Sequence, residues 1–196
     1  MATTRRINLD RRKAVVRLLK DRGDALVITG LGAPSFDAMA AGDHPNTFYL
    51  WSGMGSAVPT GLGLACAQPR RRVVVITGDG EMLMGVGSLA TVAVQAPSNL
   101  AVVVVDNQRY GETGGQETHT AHGVDLAAMA KGAGFRDART LWTAAELEDA
   151  IPAVYGAKGP IFFAVKVKPE SAPIVLPPSD GPTLRHRFRE NLLGKT

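Results

Sequence analysis

Between Arg72 and Gln116 the chain reads as strand, acidic glycine turn, helix, strand and polar glycine loop. Val73-Val74-Val75-Ile76-Thr77 and Leu100 to Val105 are apolar, β-branched runs of the kind shown by parallel strands covered on both faces. Between them, Met82 to Gln95 is apolar, rich in small residues and of helical length, which predicts one crossover helix. The unit is therefore βαβ, and both strands end in polar residues: Gly78-Asp79-Gly80-Glu81 after the first and Asp106-Asn107-Gln108-Arg109-Tyr110-Gly111-Glu112 after the second.

Open parallel sheets bind ligands beyond the carboxyl ends of their strands. Two hard oxygen donors stand at such ends, the Asp79 carboxylate and the Asn107 amide. A small divalent cation such as Mg²⁺ takes about six oxygens, one or two from carboxylates and the rest from phosphates, carbonyls and water, so a metal-diphosphate group suits the pair. Glycines beside Asp79 allow backbone N–H groups to approach phosphate oxygens. Gly-Asp-Gly alone is equally a turn whose aspartate caps a helix.

The spacing separates these readings. Asp79 and Asn107 lie 107 − 79 = 28 positions apart, one strand-to-strand step of a βαβ unit. With Gly-Asp-Gly in front and an asparagine behind, the stretch resembles the diphosphate-binding domain of thiamine diphosphate enzymes. The asparagine of that family commonly follows another asparagine; here Asp106 stands in that place, which leaves the metal-binding position intact. Thr77 to Met84 and Tyr110 to Gln116 look like the sulfopyruvate and phosphonopyruvate decarboxylases in particular, and the resemblance spans roughly residues 24 to 170 together with the closing Arg187-Phe188-Arg189. It implies thiamine diphosphate and Mg²⁺ as cofactors. Asp79, Asn107 and the backbone carbonyl of Arg109 would hold the metal. Gly78, Gly80, Glu81, Tyr110, Gly111 and Glu112 would line the cofactor.

The rest of the chain alternates in the same way. Residues 8 to 21 form an amphipathic helix with Val15, Val16, Leu18 and Leu19 near one face and Asn8 or Asp10 as its cap. Ala25 to Thr29 is the first strand, and Gly30-Leu31-Gly32-Ala33-Pro34-Ser35 turns into a helix begun by Pro34 or Ser35. This turn nearly spells the dinucleotide fingerprint, but that reading needs an acidic residue about 20 positions on, and Phe48 to Gly55 supplies none. By resemblance the turn serves the diphosphate pocket through Thr29 and Gly30. Thr47 to Trp51 is a second strand. Ser52-Gly53-Met54-Gly55-Ser56 then leads into a glycine-rich helix ending near Ala67. In the resembled family this loop holds the aminopyrimidine ring, through a carbonyl at Ser52 or Gly53 and the bulky side chain of Met54; without the resemblance, Met54 reads as core filler.

Further on, a helix runs from Gly123 to Gly134 with Asp125 as a cap, and Thr143 to Glu146 is a capping box opening a helix to about Tyr155 that Pro152 should kink or shorten. Pro160 to Val167 is a last buried strand. The sum is an α/β fold, a three-layer αβα sandwich with a mostly parallel sheet. Residues 1–170 make the cofactor-binding domain, and 171–196 a proline-rich, basic tail packed on that domain or on a partner.

Charge and composition narrow the partners. The 45% hydrophobic and 20% charged residues are ordinary for a soluble globular chain. The net +4 comes from 22 Lys and Arg against 18 Asp and Glu, concentrated at the two ends. Arg5, Arg6, Arg11, Arg12 and Lys13 lack interleaved aromatics, and no zinc or groove-reading motif accompanies them, so nucleic acid is not expected. No run approaches the roughly 20 apolar residues of a membrane span. The lone Cys66 lies in an apolar segment and reads as a buried thiol in a reducing cytoplasm.

Thiamine diphosphate is itself the electron sink, so no catalytic nucleophile need appear. The family's activating glutamate sits on a pyrimidine-binding domain. Glu81, Glu112 and Glu117 all lie by the diphosphate loops, so that glutamate is expected from a separate, alpha-type subunit; a homo-oligomer is expected in isolation. The implied activity is decarboxylation of a small 2-oxo acid. An acetolactate synthase-like carboligase and a non-catalytic cofactor-binding domain are the alternatives. His119 and His122 are weak candidates for proton transfer, and equally read as exposed loop residues.

Overall fold

The structure, a computed structural model, describes residues 7–51, 53–170 and 172–194. Six parallel strands form its sheet: β1 (Leu26–Thr29), β2 (Thr47–Tyr49), β3 (Val73–Gly78), β4 (Leu100–Asp106), β7 (Asp137–Leu141) and β8 (Ile161–Lys166), in the order β2-β1-β3-β4-β8-β7. Alternate residues of the central strands feed two separate cores. Val74, Ile76, Val103 and Val105 pack on one side with α1 (Arg11–Lys20), α2 (Ala33–Ala40) and α7 (Ala144–Gly156). Val73, Val75, Val102 and Val104 pack on the other with α3 (Ala57–Ala67), α4 (Asp79–Met84), α5 (Ser88–Gln95) and α6 (Leu126–Ala133). Two apolar faces per strand are what the unbroken β-branched runs require. The expected three-layer sandwich is present, and every strand pair within its sheet is parallel.

Several local expectations need correction. The crossover after β3 is two helices, α4 and α5, because the chain turns at Gly85-Val86-Gly87. The backbone of Gly55 passes so close that a Cβ on Gly85 would lie 2.1 Å from the Gly55 carbonyl oxygen. That contact ties the loop before α3 to the end of α4, and α3 itself begins only at Ala57. In α1, capped by Asp10, the buried face is Ala14, Val15, Leu18 and Leu19, while Val16 points outward at 40% exposure. Cys66 is exposed: Gly61, Leu62 and Ala65 form the buried face of α3, and Cys66 follows one helical step round from it. The helix expected to about Tyr155 is present as α7, which runs to Gly156 with Pro152 inside it and opens on the predicted Thr143–Glu146 capping box.

The segment after β8 returns along the molecule. Arg12 donates to the Pro173 carbonyl at 2.5 Å and Trp51 Nε1 to that of Pro178 at 2.6 Å, before α8 (Gly181–Leu193) begins under an Asp180 cap. Leu184 is buried, Phe188 meets Phe48 edge-on at 5.7 Å, and Arg187 pairs with Asp43 at 2.6 Å. The charge of Arg187 is thus used within the chain, and α8 lies beside edge strand β2. No helix among the described residues is long and apolar enough to cross a membrane.

Candidate cofactor and metal site

From β1 the chain leaves to α2 on one face of the sheet, and from β3 it leaves to α4 on the other. Divergence of adjacent connections opens a crevice beyond the strand ends, the place where such sheets bind ligands. A cavity of about 160 Å³ lies there. Leu31, Ala33 and Pro34 line it from the first turn, Gly78, Asp79, Gly80 and Glu81 from the second, and Asn107, Arg109, Tyr110, Gly111 and Glu112 from the third. Met54 reaches it from the loop after β2 and is 40% exposed.

The sequence-predicted residues divide into those that face the cavity and those that hold it. Thr29 does not line it; it is fully buried, with its hydroxyl 2.7 Å from that of Ser35, which also donates to the Gly30 carbonyl. Glu81 accepts from Thr77 Oγ1 at 2.8 Å and from the Ala57 N–H at 3.3 Å, and it leaves no room for a side chain at Gly30. Burial pushes its pKa up. Glu81 therefore fastens three loops together beneath the cavity. Gly80 has its own constraint, since a Cβ there would come within 2.4 Å of the Tyr110 ring. Ser52 lies outside the described residues.

The third turn belongs to a small ribbon, β5 (Arg109–Tyr110) paired antiparallel with β6 (Gln116–Glu117), with a 3₁₀ turn from Gly111 to Thr113 between them. Gln108 enters it at φ +61°, a conformation that non-glycine residues seldom adopt. Its N–H bonds Asp106 Oδ1 at 3.1 Å and its side chain donates to the Thr120 carbonyl at 3.0 Å, which fixes that conformation. The turn brings the Arg109 N–H to 3.0 Å from Asn107 Oδ1. The Arg109 guanidinium meets Glu117 at 2.9 Å, along the ribbon. His122 Nε2 lies 3.2 Å from the same Glu117, and neither His119 nor His122 lines the cavity.

Asp79 is the electrostatic centre of the site, with 1% of its surface exposed. Thr118 Oγ1 donates to its Oδ2, and Thr120 Oγ1 stands 3.3 Å from the same oxygen. Thr120 has one proton, and its nearest acceptor is Asp106 Oδ1 at 2.8 Å. Asp106 Oδ2 is paired with Lys166 Nζ at 2.6 Å. Among the described residues no cation pairs with Asp79. Burial first, and the charge of Asp106 second, push its pKa up to about 6.

Thr120, Lys166 and Arg11, which also lines the cavity, went unrecognised in the sequence as parts of this site. The spacing of Thr118 and Thr120 just past the glycine loop was the one local signal available.

Residues 32–165 match the family described as thiamine pyrophosphate enzyme, C-terminal TPP binding domain. Over 188 residues the chain is 39% identical to the sulfopyruvate decarboxylase subunit beta of Methanothermobacter thermautotrophicus, covering 96% of this chain and 98% of that protein. It is 39% identical over 159 residues to the phosphonopyruvate decarboxylase of Streptomyces viridochromogenes, covering 81% of this chain and 40% of that protein. Among solved structures, the benzoylformate decarboxylase of Polynucleobacter necessarius superposes with a TM-score of 0.68 at 22% identity, over 84% of this chain and 33% of that one, a likeness of fold. The chain belongs to the thiamine pyrophosphate enzymes, in which it is a TPP-binding domain.

Proposed function

We propose that this chain is the diphosphate- and metal-binding subunit of a thiamine diphosphate-dependent decarboxylase of a small 2-oxo acid, working in the cytoplasm with a separate pyrimidine-binding subunit. The observation that carries this is the end-to-end likeness to a protein named as a decarboxylase beta subunit. The acetolactate synthase likeness is narrower, 36% identity over 105 residues and half of this chain.

The residues present suit the cofactor. A buried carboxylate with no cationic partner among the described residues calls for an external cation, and Asp79, Asn107 and the Arg109 carbonyl offer the hard oxygen set that Mg²⁺ takes. Gly78 and Gly80 keep side chains away from the backbone where the diphosphate would lie. Gly53 and Met54 would support the pyrimidine ring, and Tyr110, Gly111 and Glu112 would close the rim of the cavity. When bound, thiamine diphosphate supplies the electron sink for loss of carbon dioxide. The task of this chain is to bind, orient and keep water from it. Glu81 is committed to Thr77 and the Ala57 N–H, which supports an activating carboxylate on the partner. In this reading residues 1–170 are the cofactor domain and the remainder is its strap.

The test is reconstitution. The purified chain is combined with a pyrimidine-binding subunit and supplied with sulfopyruvate, phosphonopyruvate and pyruvate. Carbon dioxide and free aldehyde from the mixture, and neither from the chain by itself, is the expected result. A hydroxyketone product, silence with every acid, or full-rate decarboxylation by this chain without a partner overturns it.

A further inference from the structure

Two arginines in consecutive positions of α1 grip one buried aspartate. Asp37, whose side chain is 0% exposed, receives Arg11 Nε at 2.6 Å on one oxygen, and Arg12 Nε at 3.0 Å and Arg11 Nη2 at 3.4 Å on the other. One carboxylate cannot neutralise two guanidinium groups, so the cluster keeps a net positive charge. Beyond Asp37 the two arginines have different neighbours. Arg12 continues to the Pro173 carbonyl at 2.5 Å, whereas Arg11 lines the cavity beside Leu31, Ala33 and Pro34.

The cavity has need of that charge. Its ionisable lining is Asp79, Glu81 and Glu112 against Arg11 and Arg109, and Arg109 is already paired with Glu117. A diphosphate ester carries several negative charges, and a divalent metal shared with Asp79 cancels only part of them. We infer that Arg11 is a diphosphate-binding residue, held in place by Asp37 and presenting its remaining N–H donors to the phosphoryl oxygens at the α2 side of the crevice. A planar guanidinium fixed by a carboxylate loses little freedom on binding a phosphoryl group, which is the use to which arginine is best suited.

This inference rests on the proposed cofactor, and Arg12 supplies its control. Arg11→Gln, Arg11→Lys and Arg12→Gln are prepared in the full chain. Calorimetry with saturating Mn²⁺ measures dissociation constants for thiamine diphosphate and for inorganic pyrophosphate, and thermal melts are recorded alongside. Hydrogen bonds to charged groups contribute about 1.5–3 kcal/mol, so Arg11→Gln should weaken both ligands by roughly ten- to a hundredfold. Arg11→Lys should recover part of the loss. Arg12→Gln gives up the same partner, so it should lower the melting temperature comparably while leaving both affinities within about twofold. Equal affinities in Arg11→Gln and the unaltered chain overturn the inference, as do equal losses in the two glutamine variants. A change confined to the KM for the 2-oxo acid in the reconstituted enzyme overturns it too, by assigning Arg11 to the substrate. An unaltered chain that binds neither ligand removes the proposed function itself.

Discussion

Two aspartates stand at the carboxyl ends of adjacent strands, equally buried and each with a threonine hydroxyl as donor, Thr118 for Asp79 and Thr120 for Asp106, yet their electrostatics are opposite. Asp106, at the end of β4, is neutralised from within the chain by Lys166, whose ammonium stands 2.6 Å away and 5.7 Å from the centre of the Trp142 ring. Asp79, just past the end of β3, has the Thr118 hydroxyl as its donor and no cation among the described residues. A buried charge is tolerated when it is paired, so the first aspartate is complete in the free chain and the second is the one proposed to take a metal. Structural and functional carboxylates are thus told apart by whether the fold supplies the counter-charge, and burial alone does not separate them.

The largest expected effect breaks the comparison on its open side. Asp79→Ala removes the carboxylate proposed to hold the metal and should abolish metal-dependent thiamine diphosphate binding in calorimetry. Losing a mere supporting contact to a metal ligand costs about 10–100-fold, and loss of a ligand should cost more. The same substitution should leave the free chain at least as stable at neutral pH, because it deletes an unpaired buried charge. Undiminished cofactor binding by Asp79→Ala would remove Asp79 from the site.

On the closed side, Lys166→Met should destabilise the chain by about 3–5 kcal/mol in urea denaturation, the cost of stranding one member of a buried ion pair. Adding Asp106→Asn should restore most of that loss, since an amide needs no counter-charge. Equal instability of the single and double variants would show that Lys166 contributes packing against Trp142 and not charge.

The difference between the two aspartates also has a pH signature. Burial first and the Asp106 charge second push the Asp79 pKa from 3.8 up to about 6 in the folded chain, so the native state binds its proton more tightly. Its contribution to stability is full below pH 3.8 and is lost as pH rises through about 6, for a total of ~3 kcal/mol. Denaturation midpoints of the free chain, compared with those of Asp79→Asn, should show this falling component only where Asp79 is present. Saturating metal and thiamine diphosphate should remove it.

What was readable in the sequence follows the range of each interaction. The strands β3 and β4 and the Asp79–Asn107 spacing lie within one short window and announce themselves by β-branched runs and glycine turns. Strand β7 does not, because Asp-Ala-Arg-Thr-Leu is a polar edge strand in which Leu141 alone is fully buried. The break between α4 and α5 depends on Gly55, thirty positions before Gly85 in the chain and in contact with it only once folded. Lys166 and Arg11 are ordinary surface-type residues by sequence, and nothing local marks Lys166 as the partner of an aspartate 60 positions away. Helix α8 is legible in principle, since Asp180 caps it, Pro182 opens it, and Leu184, Phe188 and Leu192 repeat every four residues, while the prolines before it give the segment the composition of a tail.

The smallest expected effect concerns the histidines. His122 is 68% exposed and its nearest charged neighbour is Glu117, which Arg109 already engages. His119 opens the short 3₁₀ turn of residues 119–122, whose inward residue is Thr120, which donates to Asp106 and stands 3.3 Å from Asp79. The turn therefore sends its threonine to the site and its histidines to solvent. Replacing both histidines by alanine should shift stability by no more than about 0.5 kcal/mol and leave metal-dependent cofactor affinity unchanged. Thr120→Val in the same turn should behave differently, because it removes the donor to Asp106 that stands beside Asp79 while keeping the volume. Loss of cofactor affinity in the double histidine variant, with Thr120→Val unaffected, would reverse the assignment and give the loop histidines a place at the cofactor.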